Sequence, residues 1–192
     1  MAAPKIKPAT YEDLLALPDD VVGEIVDGEL VAMPRPRPRH ANVAIGGASS
    51  LGGYQGTSGG GGSRRDGPGG WLLLVEPEVH WGTEVAVPDL AGWRRDRLPR
   101  VPDTAAVEIP PDWAMEIISP RTARHDRGAK RRMYARWGVE WLWFADPDSR
   151  VVETLQLRDG EYVVKGTWGD DDLMVAEPFP LAEIPLAYWW GD

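Results

Sequence analysis

The run Trp113-Ala114-Met115-Glu116-Ile117-Ile118 constrains this chain more than any other stretch. Five of its six residues are apolar, so it predicts a buried strand, and a buried strand has no ordinary use for a glutamate. Alternate side chains on a strand point to opposite faces. Trp113, Met115 and Ile117 go one way; Ala114, Glu116 and Ile118 go the other. Glu116 then sits between an alanine and an isoleucine, where an unpartnered carboxylate either becomes neutral or finds a cation. A second acid stands in a similar position. Val85-Ala86-Val87-Pro88-Asp89 opens a strand over 85–93, with Asp89 on the face of Val87 and Ala91. If the two strands are neighbours, both carboxylates meet over one metal. Their hard oxygen donors suit Mg2+ or Mn2+.

A third charge comes from the helix expected after Asp126, which serves as its N-cap. The helix runs from Arg127 to about Trp137, and Gly138 closes it at the C′ position. At about 100° per residue, Lys130, Met133, Tyr134 and Trp137 form one stripe, with Arg132 and Arg136 roughly opposite. The plain reading of Lys130 is a side chain lying along the helix edge with its amine in water. The functional reading is an ammonium that reaches the carboxylate pair. There it orients or helps deprotonate a water and balances charge on a phosphorane-like transition state. Two carboxylates and a lysine on separate apolar elements point to metal-assisted hydrolysis of a phosphodiester.

The remaining sequence predicts a scaffold. Thr10 caps a short helix, with Asp13 three residues on. Asp27-Gly28 between 21–26 and 29–33 predicts a hairpin. Glu24 shares a face with Val22 and Val26 there, which suggests either a strand-edge salt bridge or a place in the acidic cluster. Residues 34–39 alternate Pro and Arg and read as an extended loop. His40 opens a helix through Ile45 and, as a lone His, reads first as a surface or capping residue. The Gly-rich stretch 46–70 reads as a flexible loop and carries no phosphate-loop motif. Trp71–Val75 is a buried strand or the end of a helical hairpin, and 78–81 is a further strand. Glu76, Glu78 and Glu84 are expected to face water. Strands follow at 141–145 and in a hairpin around Arg158-Asp159-Gly160. The tail 177–192 alternates Pro with apolar residues and reads as an extended cover over the core or over a partner chain.

The ordered series Glu24-Ile25-Val26-Asp27-Gly28-Glu29-Leu30, His40, Pro88-Asp89, Glu116-Ile117-Ile118-Ser119-Pro120, Asp126, Lys130, Tyr134 and Gly138-Val139 resembles the Uma2 (DUF820) family. That family is a bacterial branch of the PD-(D/E)XK nuclease superfamily, and the match spreads over residues 10–190. The resemblance implies an α/β (α+β) restriction-endonuclease-like core: one domain over 1–192, a central mixed sheet flanked by helices, and β-hairpins toward both ends. It implies a Mg2+-dependent (or Mn2+-dependent) DNA endonuclease that acts as a homodimer. Residue by residue, Asp89 matches the metal-binding aspartate, Glu116 the acid of the second half-motif, and Glu24 the early glutamate. Lys130 matches the lysine on the following helix. The usual lysine position, two after the acid, is Ile118 here. Tyr134, Asp126 and His40 take supporting places. The Gly-rich stretch 46–70 departs from the family, standing where a helical segment is expected.

Composition narrows the alternatives. With no Cys there is no disulfide framework, thiolate metal site or cysteine nucleophile, which fits a cytoplasmic location. No His cluster suggests zinc. No apolar run approaches 18 residues, and Met1–Tyr11 lacks the apolar block of a signal peptide. The net charge of -9 weighs against tight non-specific nucleic-acid binding, although Arg clusters at 35–39, 94–100 and 121–136 leave room for a basic face. Two other readings compete with the nuclease. One is a catalytically silent nuclease fold that contacts proteins, with the aromatic tail as its contact surface. The other is a β-rich sugar- or nucleotide-binding protein, in which Lys130 has no job.

Overall fold

A computed structural model describes residues 7–34, 37–56 and 68–191. The central sheet has six strands in the order β10-β9-β8-β7-β6-β3. In chain order these are β3 (Trp71–Val75), β6 (Leu90–Arg94), β7 (Trp113–Ile117), β8 (Trp141–Asp146), β9 (Val151–Arg158) and β10 (Glu161–Gly169). The β7–β8 pairing is parallel and the other pairings are antiparallel, so the sheet is mixed as expected. A parallel pair needs a crossover connection, and the helical segment carrying Lys130 provides it. A four-stranded sheet, β2-β1-β5-β4, stands beside it, built from β1 (Val21–Val26), β2 (Glu29–Pro34), β4 (Val79–Trp81) and β5 (Glu84–Ala86). The hairpins fall where turn chemistry puts them. Asp27 and Gly28 both have positive φ between β1 and β2, as do Asp159 and Gly160 between β9 and β10.

The alternation predicted for β7 divides the core in two. Trp113, Met115 and Ile117 join a cluster under α2 (Pro38–Ser50) and the C-terminal segment. Ala114 and Ile118 join a second cluster with Leu142, Phe144 and the helix residues Met133, Tyr134 and Trp137. Glu116 thus faces the helix that carries Lys130. Among the described residues no helix is long and apolar enough to cross a membrane.

Five local expectations change. The strand expected over 85–93 is two strands. Pro88 has no N–H to give a ladder, and the chain leaves the small sheet after β5 and enters the large one at β6. The helix expected from Arg127 starts at Ala123: α3 (Ala123–His125), a π turn (Asp126–Lys130) and α4 (Arg131–Trp137) run on continuously. Asp126 is therefore a buried residue of the π turn, not a cap, while Gly138 does close the helix at φ 74°. Glu76 is exposed as expected, but Glu78 and Glu84 are only partly exposed and are paired. Glu78 accepts from Tyr11 and meets His80, and Glu84 accepts from the Trp137 indole and Arg136. The loop expected over 34–39 is shorter, because Pro34 belongs to β2 and α2 begins at Pro38. Residues 35–36 lie outside those described.

The fifth change concerns the Gly-rich stretch. Its first part, 46–50, is helix, so the helical segment thought to be missing is present as α2. The glycines are there for space. A Cβ on Gly46 would stand 2.7 Å from the Trp189 ring, and one on Gly47 would stand 2.9 Å from Leu90. Residues 57–67 lie outside those described. Trp189 comes from the tail, which forms the hairpin β11 (Leu173–Ala176) and β12 (Phe179–Pro185) and then a short turn of 3-10 helix. Trp189 and Trp190 are buried in this chain's own core, which removes most of the aromatic surface a protein-contact reading relied on.

Gly46→Ala tests this packing. Alanine gains about 1 kcal/mol in helix propensity, but moving a buried indole costs about 1–3 kcal/mol. The net expectation is a loss of about 1 kcal/mol in chemical denaturation, where an exposed helix site would gain.

Candidate active site

The site lies where β1, the β5–β6 crossing, β7 and the π turn meet. Glu24, on β1, is fully buried, and its Oε1 accepts from the Val87 N–H at 2.8 Å. Glu116, on β7, is 3% exposed. Lys130, at the end of the π turn, is 1% exposed, and its Nζ stands 2.8 Å from Glu24 Oε1 and 2.7 Å from Glu116 Oε1. Tyr134 donates its hydroxyl to the same Glu116 oxygen at 2.5 Å. The lysine is not lying along a helix edge in water; it is the buried counter-ion of two acids.

Asp89 sits at the rim. Its Oδ2 accepts from the Ile117 N–H at 2.6 Å, which ties it to the residue after Glu116. Its Oδ1 is 3.1 Å from His40 Nε2 on α2. The pairing Leu90↔Met115 sets this register and leaves Asp89 beside Glu116. His40 is thus neither a cap nor a free surface residue. Asp126 is buried, and its charge acts on Lys130 and Glu116. One group escaped the sequence reading. His125 places Nε2 3.5 Å from Glu24 Oε2.

The electrostatics follow from four acids crowded around one ammonium. Burial pushes the Glu116 carboxyl up; Lys130 opposes this, but Asp89, Asp126 and Glu24 add to it, leaving it well above the usual carboxylate range. Glu24 is also pushed up by burial, yet the Lys130 charge, the close approach of the His125 ring, the Lys130 hydrogen bond and the Val87 N–H together bring it below its ordinary value. Burial disfavours the Lys130 ammonium, but Glu116, Glu24 and Asp126 outweigh it and hold the amine charged. For Tyr134, burial first and the neighbouring carboxylates next keep the hydroxyl protonated, so it stays a donor.

The donor set bears on which metal it could hold. Among the described residues no three His, Cys, Asp or Glu side chains form a ready ligand cage. Mg2+ keeps most of its waters and needs one or two carboxylates. A carboxylate has about four lone-pair sites. Each acid has two partners here, on Oε1 of Glu116 and one per oxygen of Asp89, so both retain acceptor capacity. Asp89 and Glu116 fit a hydrated Mg2+ or Mn2+.

The basic clusters are largely paired. Arg97 bonds Asp112, Arg94 meets Glu140, Arg127 meets Glu153, and Arg136 bonds Asp27 and Glu84. Arg121 and Arg124, on the approach to the π turn, are exposed.

The model of the family Uma2, "Putative restriction endonuclease", matches residues 8–187. This chain belongs to the Uma2 family. The fold agrees. Four solved chains match the Uma2 protein, among them the crystal structure of "a putative nuclease belonging to DUF820" from Anabaena variabilis ATCC 29413. The two share 22% identity and a TM-score of 0.71, over 95% of this chain and 99% of that one. No curated protein matches the Uma2 chain. The family assignment supports a nuclease in general terms, and the mixed sheet with flanking helices is the fold of that neighbour.

Lys130→Met tests the buried pairing. Removing one partner of a buried ion cluster costs about 3–5 kcal/mol, whereas Tyr134→Phe loses one hydrogen bond to a charged group, about 1.5–3 kcal/mol. Denaturant titration should rank the two variants in that order.

Proposed function

We propose that this chain is a Mg2+-dependent DNA endonuclease that hydrolyses phosphodiester bonds, with Asp89 and Glu116 as metal ligands and Lys130 and Glu24 completing the catalytic set. The observation that carries this reading is the convergence of two carboxylates from adjacent strands with a lysine from the crossover helix, in a family described as "Putative restriction endonuclease". A cation held by Asp89 and Glu116 supplies Lewis-acid polarisation of the phosphate and a more acidic bound water.

The chain's own residues do the rest. An ammonium has three N–H donors. Glu24 and Glu116 take two from Lys130, and the third is available to orient the attacking water. The same charge balances the negative charge that develops on the equatorial oxygens as the water adds and a P–O bond breaks. Glu24 fixes Lys130, and Tyr134 fixes the Glu116 oxygen that faces it. Asp126 and His40 support the cluster, one by charge and the other by holding Asp89. Arg121 and Arg124 are candidates for phosphate contacts despite the acidic total. We read residues 1–192 as one restriction-endonuclease-like domain. Cutting two strands calls for two sites, which a homodimer supplies. The lack of cysteine suits a reducing cytoplasm.

Calorimetric titration with Mn2+ and a plasmid-nicking assay test the proposal together. Wild type should bind Mn2+ and nick plasmid, and Asp89→Asn and Glu116→Gln should lose both. Lys130→Gln should keep Mn2+ binding while cleavage falls about 10²–10³-fold, the cost of one transition-state donor. Equal Mn2+ affinity in wild type and both carboxylate variants would remove the metal site from Asp89 and Glu116.

A further inference from the structure

Besides His40 Nδ1 at the rim, two polar atoms beside Lys130 are buried without a hydrogen bond to any described residue. These are Glu24 Oε2 and His125 Nε2. They face one another at 3.5 Å. A buried polar atom left unmade costs about 1–3 kcal/mol, and a shift of about half an ångström would turn this approach into a hydrogen bond of ordinary length. The other Glu24 oxygen is already committed to the Val87 N–H and to Lys130.

The backbone explains why these two side chains meet. His125 and Lys130 are five residues apart. On a regular α-helix, five residues place side chains about 140° apart around the axis. The turn between them is a π turn, in which the Arg131 N–H reaches back to the Asp126 carbonyl, and i→i+5 bonding brings residues five apart nearly into line. One carboxylate is therefore approached on one oxygen by Lys130 and on the other by His125.

That second approach has a use. The terminal torsion of a glutamate is broad, so a carboxylate held by one oxygen is free to swivel. Held by both oxygens, its plane is fixed, and with it the place of the Lys130 amine. We propose that His125 is a positioning residue for hydrolysis: its Nε2–H donates to Glu24 Oε2 and so fixes, through Glu24, where the Lys130 ammonium stands. This rests on the nuclease reading above. It assigns the π turn a purpose, which is to bring two donors onto one glutamate.

The test uses the full chain loaded with Mn2+ and a plasmid substrate. His125→Ala should lower kcat about 10–100-fold, the usual effect of losing an outer-shell partner at a metal site, with the KM for DNA unchanged. His125→Gln, whose amide N–H lies near the place of Nε2, should recover most of the loss. Independently of activity, ¹⁵N NMR of the imidazoles should show His125 protonated at Nε2, with a resonance that moves in Glu24→Gln. Full activity in His125→Ala, a loss that glutamine does not restore, or an unprotonated Nε2 would overturn the assignment. A wild type that cuts no DNA would sink the nuclease reading instead, and the imidazole spectrum would still decide the contact.

Discussion

A buried ammonium between two buried carboxylates is the interaction on which the rest of this structure depends. Desolvating any one of these charges costs several kcal/mol, and only mutual pairing with good geometry repays it. Glu24 comes from the small sheet, Glu116 from the large sheet, and Lys130 from the helix that crosses between two parallel strands. The cluster can form only when all three elements are docked, so it welds the two sheets to the helix. It is also unbalanced. Four acids, Glu24, Asp89, Glu116 and Asp126, share one lysine and two histidines. Such a surplus of negative charge is the setting in which a divalent cation gains most.

Two irregularities in otherwise ordinary elements build the site. At Val87-Pro88-Asp89 the chain steps from one sheet to the other, and in that step the Val87 amide meets Glu24 while Asp89 swings beside Glu116. At Asp126–Lys130 the helix takes a π turn, which inserts one residue into the helical repeat and rotates α4 relative to α3. Both place polar groups that regular geometry would leave apart, which is the pattern expected where function overrides local preference.

Much of this was legible because β7 alternates so cleanly. Glu116 between Ala114 and Ile118 marks the polar entry on the helix-facing side, and the helix stripe picks out Lys130 and Tyr134 without knowledge of the fold. The turn residues Asp27-Gly28 and Asp159-Gly160 fix two hairpins. What was not legible depends on long-range packing. Gly46 and Gly47 look like helix breakers until Trp189, from the far end of the chain, and Leu90 fill the space above them. Asp126 looks like a cap until the helix is seen to start at Ala123. Glu84 looks solvent-facing until Trp137 and Arg136 close on it. His125 escaped because the helix was expected to start only at Arg127, two residues beyond it, and nothing in the residues Asp126-Arg127-Gly128-Ala129-Lys130 announces a π turn.

The central proposal is that Asp89 and Glu116 together hold a divalent cation. Crystals soaked in Mn2+ and measured for anomalous scattering test it most directly. The account predicts one peak beside both carboxylates, with Lys130 still seated against Glu24. A peak elsewhere, or bound manganese in solution with no peak between these two side chains, would contradict it.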